Sequence, residues 1–110
     1  YSYLGSPEIP LREWNLRLAL KLSPNFTAAH VALADEYRQQ HRLKLAENEL
    51  DRAERINPNF LEIWIEHGRI AELKGDVMAA KRAYSRATKL DPENQLAHRL
   101  LVNLSSAASN

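Results

Sequence analysis

The sequence predicts an all-α fold, a solenoid in which antiparallel helix pairs stack in a line. Two observations support this prediction. Pro24, Pro58 and Pro92 are spaced 34 residues apart, and the apolar residues between them recur at helical spacing without strand-like alternation. A repeat of this length is typical of a stacked array, because one small helical unit cannot bury its apolar face without neighbours.

Each of these prolines closes a similar phrase: Lys-Leu-Ser-Pro-Asn-Phe, Arg-Ile-Asn-Pro-Asn-Phe and Lys-Leu-Asp-Pro-Glu-Asn. Proline lacks a backbone N–H and disfavours helical backbone in the preceding residue, so each phrase should end a helix. The predicted helices cover residues 11–22, 27–40, 43–56, 61–74, 77–90 and 95–104. The predicted turns inside the two complete units are His41-Arg42 and Gly75-Asp76.

These helices form one predicted domain at residues 11–104. It contains a half repeat at 11–26, full repeats at 27–60 and 61–94, and a half repeat at 95–104. Residues 1–10 hold one glycine and two prolines, which predicts an irregular lead-in, and the tail at 105–110 should fray. The first residue is Tyr1 rather than methionine, so we expect a processed chain or a fragment of a larger protein.

Composition argues against several classes of function. The 15 basic and 14 acidic residues are interspersed and give a net charge of +1, so no strong attraction to nucleic acid or to an anionic membrane is expected. No apolar run approaches the roughly 20 residues needed to cross a bilayer, and no signal peptide is visible. Cysteine is absent, which excludes disulfides and thiol chemistry but indicates no particular compartment.

The two complete units resemble the tetratricopeptide repeat family, whose unit follows the pattern W-x2-L-G-x2-Y, A-x3-F, A and P. In residues 27–60 the pattern positions hold His30, Leu33, Ala34, Tyr37, Ala46, Leu50, Ala53 and Pro58. In residues 61–94 they hold Trp64, His67, Gly68, Ala71, Ala80, Tyr84, Ala87 and Pro92. The resemblance implies a right-handed superhelix that acts as a non-catalytic scaffold for a protein or peptide partner.

The small residues of the pattern have a physical reason. Ala34, Gly68 and Ala80 let the two helices of a hairpin approach closely, while Leu50 and Tyr84 fill the space around them. Replacing Gly68 or Ala80 with Leu should therefore overpack the hairpin and cost about 1–3 kcal/mol.

The resemblance also implies where a partner binds, because the first helices of successive family units line a concave groove. The corresponding residues here are Val31, Asp35, Arg38, Glu62, Ile65, Glu66, Arg69, Glu72, Leu96, Arg99, Leu100 and Asn103. We expect an extended peptide or a helix of a partner protein to lie there, held by mixed charges and by apolar pads at Val31, Ile65, Leu96 and Leu100. The alternative is a solvated face whose charges pair among themselves.

One specialisation of the family can be examined residue by residue. Members that capture the C-terminal tails of chaperones use Lys, Asn, Asn, Lys and Arg as a clamp for the terminal carboxylate. The matching positions here are Val31, Asp35, Glu66, Leu96 and Leu100. None is a matching donor and two carry negative charge, so we expect chaperone tails not to bind.

The half repeats predict incompletely covered ends. Residues 11–22 form a second helix without its first, with Arg12 where a small alanine is usual, and residues 95–104 form a first helix without its second. Leu101, Val102 and Leu104 should leave an apolar end interface. Either the parent protein continues, or another chain covers this strip. If that chain is a second copy, the protein is a self-assembling structural module. A further alternative is a substrate-recruiting segment of an enzyme whose catalytic domain lies outside this chain.

No cofactor, metal ion or catalytic residue is predicted. His30, His67 and His98 fall at core positions of the repeat, so we expect packed or partly buried rings, and Trp14 and Trp64 should also lie in the core. The sequence holds no paired-ligand spacing and no phosphate-binding glycine loop. We therefore expect that the chain is not an enzyme.

Overall fold

The computed structural model describes residues 9–109, with side chains described as far as Ser106. Six α-helices lie in this range, in the order α1 (Leu11–Leu22), α2 (Thr27–Gln39), α3 (Leu43–Ile56), α4 (Leu61–Leu73), α5 (Val77–Leu90) and α6 (Gln95–Ser109). The bounds of α1 to α5 agree with the sequence prediction to within one residue. Most of the predicted lead-in, residues 1–8, lies outside the described residues.

Helix α6 is longer than predicted. It continues to Ser109, whereas the apolar pattern placed its end at Leu104. The reason is that no glycine or proline follows Pro92, so nothing in the Ser-Ser-Ala-Ala-Ser run interrupts the helical backbone. Fraying of this tail stays a prediction.

The helices are arranged as an all-α solenoid. Helices α2 and α3 pack as one hairpin and α4 and α5 as the next, and α2 also contacts α4. Helix α1 packs against α2 at one end, and α6 packs against α5 at the other. The described part of the chain contains no strand, and none of its helices is both long and apolar enough to cross a bilayer.

The hairpin cores are built as the repeat pattern predicts. Ala46, Leu50 and Ala53 are fully buried in the first hairpin, and Ala80, Tyr84 and Ala87 are fully buried in the second. A Cβ atom added to Gly68 would overlap the ring of Tyr84. The absent side chain at position 68 therefore makes room for the tyrosine ring.

A hydrogen bond links each proline phrase to the first helix of the next unit. The Nε1 group of Trp64 donates to the carbonyl oxygen of Pro58 at 3.0 Å. The Nε2 atom of His30 lies 2.7 Å from the carbonyl oxygen of Pro24, and that of His98 lies 2.6 Å from the carbonyl oxygen of Pro92. A carbonyl oxygen only accepts, so the ring nitrogen is the donor each time. Histidine thus replaces the family tryptophan while keeping its N–H.

The predicted burial of the histidines and tryptophans is only partly correct. His30 is buried, and His67 and Trp64 are partly buried, as expected. His98 and Trp14 are exposed, so the core prediction is wrong for both. Both residues lie on end helices, where no described helix packs over the outer side.

Candidate partner-binding groove

The predicted groove residues come from α2, α4 and α6, the first helices of successive units. Helices α2 and α4 contact each other directly. Ile65 of α4 and Ala97 of α6 belong to one buried cluster, against which Leu100 packs. The three helices therefore lie side by side, which places the predicted residues on neighbouring helices of one surface.

An ion-pair network crosses the first part of this surface. Arg38 donates from Nε to a carboxylate oxygen of Glu66 at 2.8 Å, and it also pairs with Asp35 one turn earlier on α2. Arg12 of α1 donates to Glu36 at 3.0 Å and lies 3.3 Å from Asp35. The network joins α1, α2 and α4, so it fixes how these helices are placed relative to one another.

The two carboxyl groups that share Arg38 are shifted in opposite directions. Burial raises the pKa of Glu66 above its usual value, and the hydrogen bond from Arg38 offsets only part of this shift. Burial acts in the same direction on Asp35, but the hydrogen bond and charge of Arg38 hold its pKa below the usual value. Glu66 is therefore the carboxyl group that takes up a proton first.

Two of the predicted apolar pads are not available at the surface. Val31 and Ile65 are buried, at 6% and 5% exposure. They pack in two different core clusters beneath the surface. Leu96 is exposed and Leu100 partly buried, so the accessible apolar part of the groove lies on α6.

The remaining predicted residues divide into paired and unpaired groups. Arg69 lies 3.7 Å from Glu66, and Glu72 accepts a hydrogen bond from the hydroxyl of Tyr84. Glu62, Arg99 and Asn103 are exposed, and their side chains have no hydrogen-bond or ion-pair partner among the described residues. Charge pairing thus occupies the centre of this surface and leaves polar groups free toward its edges.

The predicted end interface is smaller than expected. Leu104 is buried at 6% exposure and packs with Ala71, Ala80 and Tyr84, so its side chain is not part of the end surface. Leu101 is partly buried against the same cluster, and only Val102 is well exposed. The reason is that α5 already covers the side of α6 that carries Leu104.

The sequence reasoning missed the participation of α1. Arg12 contacts the α2 carboxylates, although α1 was not expected to contribute to the groove. The signal was present in the sequence, because a long cation stands at Arg12 where alanine is usual. No group of three histidine or carboxylate side chains that could hold a metal ion occurs within the described range, and the absence of metal chemistry stays a prediction.

Comparison with known proteins identifies the repeat. Tetratricopeptide repeat family models match residues 27–70 and residues 61–94. Together these two matches cover residues 27–94, which are the two complete hairpins. Comparison with curated protein sequences gave no match.

Solved structures with the same fold include three tetratricopeptide repeat domains. The first domain of human RPAP3 superposes with a TM-score of 0.79 at 20% identity, over 88% of this chain and 76% of that one. The first domain of Spaghetti (RPAP3), bound to the HSP90 peptide SRMEEVD, gives 0.77 at 19% identity, over 89% and 78%. The Arabidopsis OM64 domain gives 0.75 at 18% identity, over 84% and 76%. The chain belongs to the tetratricopeptide repeat family.

Proposed function

We propose that this chain is a non-catalytic protein-interaction module that binds a peptide or helix of a partner on the surface of α2, α4 and α6. The observation that carries the proposal is the combination of a fixed ion network and free groups on one surface. Arg38 and Glu66 hold two of the helices in place, while Glu62, Leu96 and Arg99 remain exposed. Such preorganisation lowers the entropy cost of binding.

The free groups define the kind of peptide that fits. Glu62 on α4 would attract a lysine or arginine of the ligand, and Arg99 on α6 would attract a carboxylate. An apolar ligand residue between them would pack on Leu96 and Leu100. We therefore infer a mixed-charge peptide with an apolar residue between a basic and an acidic group.

A selection from a displayed library of random peptides tests this function. Selected peptides should lose at least about tenfold in affinity when Arg99→Glu or Glu62→Lys is introduced, because each change replaces attraction with repulsion. Lys44→Glu on α3 is the matched control, since Lys44 is exposed and lies on a second helix. Binders that respond equally to all three variants would contradict the proposed site.

The chaperone peptide held by one similar structure is a separate case. The positions that would clamp its terminal carboxylate are Val31, Asp35, Glu66, Leu96 and Leu100. Val31 is buried, and Asp35 and Glu66 present carboxyl groups already paired with Arg38. We expect no binding of SRMEEVD in calorimetric titration, and a dissociation constant in the low micromolar range would refute this prediction.

Self-association is a second candidate function, and one observation favours it. Leu11, Trp14, Leu18 and Leu22 are between 48% and 77% exposed. Their helical spacing places them along one side of α1, which we term the α1 stripe. An apolar surface of this kind marks an interaction site in many soluble proteins.

A further inference from the structure

Two cavities open between the second helices of the units, and we term them the outer grooves. The larger one, of about 910 Å³, lies between α3 and α5 with α4 as its floor. The smaller one, of about 390 Å³, is lined by residues of α1, α2 and α3. Neither cavity includes a residue of the predicted partner-binding groove.

The two outer grooves share the same repeat register. Arg52 and Arg55 line the smaller groove, and Arg86 and Lys89, which follow them by 34 residues, line the larger one. His30 and Trp64, which are also 34 residues apart, line the smaller and the larger groove respectively. A pair of cations therefore recurs at the same place in consecutive units, so the outer face carries a repeated basic feature rather than a single cluster.

Each carboxylate of the larger groove lies beside a cationic or N–H group other than the α5 cations. Glu47 pairs with Lys74, and Glu54 lies 3.5 Å from His67. Asp76 accepts a hydrogen bond from the backbone N–H of Ala79 at 3.0 Å and so caps α5. None of these three acids forms an ion pair with a cation of α5.

Several cations of the outer grooves have no such partner. Lys81, Arg82 and Lys89 line the larger groove, and their side chains form no hydrogen bond or ion pair with another described residue. The side chain of Arg55, which lines the smaller groove, likewise has no hydrogen-bond or ion-pair partner among the described residues. Among the residues that line the two cavities, the charge without a partner is therefore positive.

The larger groove also offers apolar surface. Trp64 lines it, with the guanidinium of Arg86 lying 4.6 Å from the ring centroid. Met78, which is 63% exposed, stands on the α5 wall. A ligand that fits would place carboxylates along α5 and an apolar group beside Met78 and Trp64.

We propose that the outer grooves bind an acidic polypeptide segment whose carboxylates face Arg82, Lys89 and Arg55. This surface is distinct from the one in the proposed function. There the free groups carry both signs of charge, whereas the unpaired charged groups that line the outer grooves are all cations. A nucleic acid fits less well, because its regularly spaced phosphates would also meet Glu47 and Glu54. A polypeptide, by contrast, can carry acidic residues at the positions that face the cations and neutral residues elsewhere.

A blocked synthetic peptide tests the proposal without involving a chain terminus. The probe is a fluorescein-labelled, C-terminally amidated 12-residue peptide of repeated Asp-Glu-Leu, with Lys-Lys-Leu as the comparison. The protein carries Trp14→Phe, so that Trp64 is its only tryptophan and reports from the groove itself. We expect the acidic peptide alone to give saturable anisotropy and a Trp64 emission change, both weakened by added salt.

Charge reversal then locates the site. Arg82→Glu combined with Lys89→Glu should weaken binding at least tenfold while leaving the circular dichroism spectrum unchanged, since both side chains are exposed. Glu62→Lys on the other surface should leave the affinity unaltered, which separates this proposal from the proposed function. The proposal is overturned if there is no saturation up to about 1 mM peptide. It is equally overturned if the affinity resists charge reversal, or if an oligothymidylate binds more tightly than the peptide.

Discussion

Gly68 faces Tyr84 in the second hairpin, where the first hairpin places Ala34 against Leu50. The two pairs are related by the 34-residue repeat. The side chains of Tyr84 and Leu50 are both fully buried. Glycine, which is smaller than alanine, thus faces tyrosine, which is larger than leucine, as close packing requires.

Gly68→Ala should therefore lower the free energy of unfolding by about 1–3 kcal/mol, because its Cβ would overlap the Tyr84 ring. Combining it with Tyr84→Leu recreates the Ala34 and Leu50 pair, so the double variant should lose less than the sum of the single losses. Urea unfolding measures all three, and Tyr84→Phe is the control for the lost hydroxyl. Strict additivity would show that the two residues do not compete for space.

The turns inside the hairpins show a second difference between the units. Both turn residues have left-handed backbone, with φ of 61° at His41 and 77° at Gly75. Glycine adopts this region freely, whereas a residue with a Cβ atom is strained there. A Cβ on Gly75 would meet no atom within 4 Å, so any penalty at this turn comes from the backbone.

His41→Gly should raise the free energy of unfolding by about 0.5–1 kcal/mol, since relief of strain exceeds the added chain entropy. Gly75→Ala is the reciprocal change and should lower it by about 1 kcal/mol. Thermal and urea unfolding of both variants measure the effect. Destabilisation by His41→Gly would mean that the histidine side chain makes a contribution larger than the backbone strain.

At the level of helices, the sequence correctly predicted the features that the 34-residue repeat determines. The recurring prolines and the small residues located α1 to α5, because each helix end has a local chemical cause. Burial on those helices depends on which neighbours cover them. The family resemblance placed Val31 and Ile65 on the groove side, but only packing shows that adjacent helices cover them. Leu104 was misjudged for the same reason.

The ion network between α2 and α4 should make stability depend on pH in two opposite ways. Burial raises the pKa of Glu66 from 4.5, so its contribution is present below that pH and is lost as pH rises through the raised value. The pKa of Asp35 is lowered from 3.8, because Arg38 outweighs the effect of burial. Its contribution is present above that pH and is lost as pH falls.

Urea unfolding of Glu66→Gln and Asp35→Asn between pH 3 and 7 tests this pair. The free energy of unfolding of the parent relative to Glu66→Gln should decrease as the pH rises above about 4.5. The free energy of unfolding of the parent relative to Asp35→Asn should decrease as the pH falls below about 3.8. Glu62→Gln is the control, since its carboxylate is exposed and unpaired. Parallel profiles for Glu66→Gln and Asp35→Asn would contradict the assignment of opposite shifts.

On the scale of the whole molecule, the α1 stripe and Val102 lie on the two end helices. A second copy could complete a hairpin by placing its α1 against α6, as a continuing solenoid would. The repeat register opposes this arrangement, because Arg12 stands where Ala46 and Ala80 stand in the complete units. Val102 likewise stands where Ala34 and Gly68 allow close approach. Association through the α1 stripes of two copies avoids both obstacles.

Sedimentation equilibrium across a range of concentrations distinguishes these arrangements. We expect the mass to rise with concentration, because the α1 stripe exposes Leu18 and three further apolar side chains. Leu18→Glu should restore a monomer at all concentrations, whereas Val102→Glu should leave the association unchanged. If Val102→Glu also abolishes it, the copies join end to end through α6. A parent chain that is monomeric throughout would refute self-association, and the α2, α4 and α6 surface would remain the place to seek a partner.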